Sequence, residues 1–136
     1  MPAQSRWMIR CSLLYLLVGF SIGAIMLISK AYPAYSQVWM LLSVHIEMLI
    51  FGFIIQFTMG TAYWILPRYL KTGDRGNRFS AWGMVILFNF GVLMNIFTYL
   101  HIFPSWGTIA GRTLVIISVI LFVALHWNRA VSYRSR

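Results

Sequence analysis

Charge is what this chain has least of. Of its 136 residues 10% are charged and two are acidic, whereas 60% are hydrophobic and the mean hydropathy is +0.77. Soluble domains carry about 25% charged residues, so a water-soluble fold is excluded. One cysteine, Cys11, rules out an intrachain disulfide and says nothing about compartment. There is no soluble linker, low-complexity tract or internal repeat, and the length suits one membrane domain over residues 1–136 with about four spans of roughly 20 residues. A cleavable signal is not expected either. The apolar run from Cys11 to Ser29 is too long for a typical signal core and no clear small-x-small site follows it, so it reads as a retained helix.

What charge there is has a pattern. The net charge of +9 raises the question of nucleic acid, but the basic residues sit between apolar runs. Arg6, Arg10, Arg68, Lys71, Arg75, Arg78, Arg129, Arg134 and Arg136 fall on one side, and only Lys30 and Arg112 on the other. This positive-inside distribution predicts an all-α membrane protein, a four-transmembrane-helix bundle with both termini cytoplasmic. The positive charge then reports orientation and contact with anionic membrane lipid, with no nucleic acid partner. It fits a multi-pass protein of a bacterial inner (plasma) membrane.

The expected helices run from about Trp7 to Ser29, Ser36 to Leu66, Phe79 to His101 and Thr108 to Trp127. Lys30, Tyr32 and Pro33 mark the first outer boundary, with Tyr35 and Trp39 suited to an interfacial belt. Pro67 and Arg68 open the inner loop, where Gly73-Asp74-Arg75-Gly76-Asn77 reads as a strong turn. Ile102 to Gly107 makes the second outer turn. On the first helix Gly19 and Gly23 form a G-x-x-x-G step, a surface for close approach of another backbone or of a planar ligand.

The second span carries the chemistry. Ionisable side chains within a bilayer are costly and mark ligand sites, proton paths or partner helices. His45 lies ~13 Å below the outer end of its helix, and its face continues through Met48, Gly52, Gln56, Met59 and Tyr63. A neutral imidazole there could ligate iron with small residues making room for a porphyrin, or could hydrogen-bond a neighbouring helix. Glu47 lies roughly 200° round the helix from His45 and so faces a different neighbour. It could exchange protons, contact a quinone or bond another helix as a protonated carboxyl.

Depth separates the other histidines from His45. His126 should lie a further ~14 Å down, and His101 ~10 Å too shallow, so neither readily shares an iron with it. Met48 could complete a heme iron or simply fill an apolar gap. Asn89 and Asn95 suit interhelical hydrogen bonds. Lys30 and Arg112 could pair with outward heme propionates or snorkel at the interface.

The order of these features resembles the beginning of subunit I of the heme–copper oxidase and nitric oxide reductase superfamily. It comprises Gly19-x-x-x-Gly23 with Lys30 seven residues on, H-x-x-M-x-x-F-G-F from His45 to Phe53, and G-x-x-x-x-x-L-P-R from Gly60 to Arg68. The match covers roughly residues 10 to 95. The resemblance implies that His45 is an axial ligand of a low-spin heme b near the outer side, with Lys30 at a position where arginine is usual near the heme edge. The departures matter as much. The family subunit has several times as many helices, and the later helix bearing the second axial histidine is absent, as are the paired histidines of the oxygen- or nitric-oxide-reducing centre. A four-helix chain resembles one of the arcs that family members arrange about an approximate threefold axis.

The expectation is therefore a small membrane b-type cytochrome-like protein that transfers electrons, with no reducing enzyme centre of its own. It would act as a homo-oligomer, a dimer favoured, or with partner respiratory subunits, and a quinone is a possible partner. Expected site residues are His45 as metal ligand, with Gly52, Met48, Lys30 and Arg112 about the cofactor. The alternatives are a heme-free accessory or scaffold subunit and a small proton-coupled transport component.

Overall fold

A computed structural model describes residues 1–68 and 75–131. Lys71, Arg134 and Arg136, and Gly73 and Asp74 of the expected turn, lie outside the described residues. The described chain is helical, with no strand, and four of its helical stretches are long and apolar enough to cross a membrane. Antiparallel succession brings the start of the first, the end of the second and the start of the third to one end.

Helix α1 spans Ala3–Ala31, starting four residues before the expected boundary because Pro2 takes the N-cap with extended backbone. Its buried side repeats every seven residues, Ser5, Ser12, Gly19 and Met26 in one row and Met8 and Ser29 in the next. Such a seam gives a slight left-handed crossing, and small residues within it let lipid-embedded helices approach.

The second span, Tyr35–Ile65, is not a uniform helix. It starts in a 3₁₀ stretch, Pro33–Leu41, passes through a short α2, Leu42–Ile46, widens into π turns over Glu47–Ile55 and closes as α3, Gln56–Ile65. Each change of winding alters the rotation between successive side chains, so one α period does not carry through the span. Pro67 ends α3. Having no N–H, it deprives the Tyr63 carbonyl of its helical partner. Arg75 replaces it, donating from one nitrogen to the carbonyls of Tyr63 (3.1 Å) and Trp64 (2.9 Å). Arg129, itself 1% exposed, donates to the Leu66 and Pro67 carbonyls at 2.6 and 2.8 Å. Two cations thus complete the negative end of this helix.

Helix α4, Arg78–Tyr99, is the most enclosed span, with Asn77 as N-cap accepting from the Phe79 amide at 2.9 Å. It packs along α5, Trp106–Val131, where Gly91 and Gly111 meet backbone to backbone. A Cβ at Gly91 would stand 2.7 Å from the Gly111 carbonyl oxygen, so only glycine permits the crossing. Ser118 donates to the Met84 carbonyl (2.7 Å), and Gln56 of α3 to Asn89 of α4 (3.0 Å).

The turn between α4 and α5 is closed by a paired hydrogen-bond cap. His101 N–H reaches the Thr98 carbonyl and Ile102 N–H the Phe97 carbonyl, with His101 at φ 59°. Glycine is the usual occupant of that left-handed position. His101 is therefore an exposed cap residue at the end of α4.

Candidate functional site

The G-x-x-x-G step of α1 forms the seat of His45. The Gly19 carbonyl can only accept, so the 2.8 Å contact from His45 Nδ1 is a donated hydrogen bond and fixes the proton on that nitrogen. A Cβ at Gly23 would lie 2.6 Å from His45 Cε1, so the imidazole rests directly over a residue without a side chain. Nε2 has no hydrogen-bond partner among the described residues. Half-buried His45 lines an apolar groove of about 440 Å³ with Phe20, Gly23, Ala24, Leu27, Trp39, Leu42 and Leu49. The rim is open to the surroundings, Phe20 and Leu27 being 63% and 66% exposed. Lys30 stands 5.1 Å over the Trp39 ring at this rim, a cation–π contact.

Glu47 turns the opposite way, as its angular offset from His45 predicts. It is 1% exposed and receives both terminal nitrogens of Arg112, NH1 to Oε1 at 3.1 Å and NH2 to Oε2 at 2.6 Å. Asn95 Nδ2 donates to Oε1 at 3.1 Å, Arg112 also reaches the Tyr99 hydroxyl at 3.2 Å, and the guanidinium lies 4.1 Å over the Phe51 ring. Three elements, the second span, α4 and α5, therefore meet at one carboxylate. A bidentate, multiply donated pair of this kind is the form in which charge can be kept inside a membrane. Asn89 and Asn95 are both interhelical hydrogen-bonding groups, as their residue type suggested.

The remaining expected residues fall elsewhere. The space over Gly52 is filled by the Tyr15 ring of α1, whose Cγ would stand 2.5 Å from a Cβ there. Met48 packs on α1, its Cβ 3.3 Å from the position a Gly19 Cβ would take. Arg112 lies across the bundle from the His45 groove, committed to Glu47 and Tyr99. His126 donates from Nδ1 to the Phe122 carbonyl (2.6 Å) and meets Tyr63 edge-on at 5.5 Å. Tyr63 is eighteen residues along the span from His45, roughly 27 Å by helical rise, so His126 and His45 cannot share an ion. Among the described residues no three His, Cys, Asp or Glu side chains converge.

Two features escaped sequence reasoning. Tyr15 fills the Gly52 gap, which spacing on one helix cannot reveal. The Glu47–Arg112 pair had a usable signal, since the one acid inside a span and the one cation inside the last span invite pairing. Comparison of the chain with protein-family models, with curated proteins and with solved structures finds no match in any of the three.

Proposed function

We propose that the chain is a small membrane electron-transfer protein that holds a low-spin heme b through His45 Nε2. The single observation that carries this reading is the state of that imidazole. Its Nδ1–H is anchored on a backbone carbonyl, which is the usual support of a metal-ligating histidine, while the other nitrogen is unengaged on a ring lining an apolar groove. The residues present fit the group. Gly23 and Ala24 keep one wall low, the aliphatic and aromatic lining excludes water, and Lys30 at the rim would meet anionic substituents. Bound there, the group would supply one-electron redox chemistry.

The chain brings one suitably placed histidine, and the groove is open on its outer side. A second copy apposed across that opening would contribute its own His45, so that two imidazoles would hold the group and favour electron transfer over ligand chemistry. The arrangement agrees with the resemblance to one helical arc of the heme–copper oxidase superfamily. The charge distribution supports both termini on the cytoplasmic side of a bacterial plasma membrane, His45 in the outer half, and a quinol or a respiratory subunit as exchange partner.

The test is a reduced-minus-oxidised visible spectrum of protein purified from heme-replete cells. Sharp reduced-state bands, half a heme per chain and loss of both in His45→Ala are expected. A colourless wild type, or bands that survive His45→Ala, overturns the assignment and leaves a heme-free scaffold of a larger membrane complex as the reading.

A further inference from the structure

A second concave site lies in the half of the bundle remote from His45. Where α1 begins, α3 ends and α4 begins, a cavity of about 330 Å³ is lined by Gln4, Tyr63, Arg68, Arg75 and Arg78 together with the first backbone turn of α1. Among the described residues no carboxylate side chain lines it. Among the described residues the one ion pair is Arg112–Glu47, at the other end, and these three arginines line the cavity with no acidic partner in that described set. Arg75 is held in place by its two carbonyl contacts, which engage one of its nitrogens. The α1 N-cap is Pro2, which offers no side-chain acceptor, and the first turn contains no acid.

Like charges gathered round a cavity call for an anion. Planar guanidinium forks match the tetrahedral oxygens of phosphate, and the uncapped amides of α1 add donors of the same sense. The ends of membrane-spanning helices place this cavity at headgroup depth, where basic pockets between helices meet anionic lipid. We propose that the cavity binds a phosphate group, with Arg68, Arg75 and Arg78 holding the headgroup phosphate of an anionic phospholipid at the membrane surface.

The experiment uses the full chain in phosphatidylcholine nanodiscs, titrated with phosphatidylglycerol and followed by native mass spectrometry. Wild type should retain phosphatidylglycerol over phosphatidylcholine. At about fivefold per surface cation, Arg68→Gln/Arg78→Gln should weaken retention about 25-fold. Arg68→Lys/Arg78→Lys should lie between, since charge remains but the fork is lost. Arg6→Gln/Arg10→Gln removes the same charge from exposed positions outside the cavity and should weaken retention several-fold less than the cavity pair does. Circular dichroism confirms that each variant keeps its helix content. Millimolar inorganic phosphate forms a separate arm: competition with the lipid assigns the site to soluble phosphate as well, and failure to compete restricts it to lipid. No lipid preference in wild type, or equal losses in the two glutamine pairs, overturns the proposal.

Discussion

Replacing Arg112 by methionine removes the guanidinium that meets both oxygens of Glu47 and leaves a carboxylate that is 1% exposed with Asn95 as its remaining donor. Breaking one side of a buried ion pair costs about 3–5 kcal/mol in soluble proteins. In a bilayer the opened bundle keeps its helices and finds other polar partners, which lowers the net effect of such contacts. Arg112 is also one-third exposed, so part of its charge is already solvated. A cost of about 3 kcal/mol follows, on the order of 150-fold in the open-to-closed ratio. The double variant Glu47→Met/Arg112→Met removes both charges and preserves volume, and should recover most of that loss, because the penalty lies in the unpaired carboxylate. Reversible unfolding in mixed detergent micelles measures all three proteins and yields the coupling directly. If Arg112→Met costs less than about 1 kcal/mol and the second change simply adds to it, the pair is not what holds the π segment to α4 and α5.

Gly23→Ala places a methyl 2.6 Å from His45 Cε1 and should lower heme content severalfold, whereas Gly83→Ala, whose Cβ meets nothing closer than 3.9 Å, should leave the spectrum unchanged and stabilise α4 by up to about 1 kcal/mol. Equal spectra for the two would refute the seat assigned to the imidazole. His101→Gly relieves a non-glycine residue at φ 59° in an exposed cap and should stabilise the fold by about 1 kcal/mol without touching the spectrum, a rise readable in the same micelle titration.

The four spans were legible because hydropathy over some twenty residues reports burial in lipid whatever the winding. The opposed facing of His45 and Glu47 was legible for a similar reason, since positions two apart on any helix point to nearly opposite sides. Longer extrapolation failed at Gly52, which the helical period assigns to the face of His45 and which Tyr15 occupies. Neither the 3₁₀ entry nor the π turns leave a trace in hydropathy, and both shift the rotation on which such extrapolation relies. The partner of Glu47 stands 65 positions away, where only a match of depth and charge could point to it. Depth alone set His101 apart from His45; its backbone angle, invisible in composition, makes it a cap.

The wide turns over Glu47–Ile55 make a joint between the upper and lower shafts of the second span. Below the joint, Gln56, Met59 and Tyr63 are keyed into the core; at its upper edge, the His45 imidazole and the Glu47 carboxylate are keyed to opposite walls. Deleting a single residue there, with the winding of its neighbours unchanged, would leave the greasy length almost untouched. The upper shaft would nonetheless swing by about 100° relative to the lower one. Both polar locks would then miss their slots together, so spacing across this joint is more constrained than the identity of the hydrophobic residues that form it.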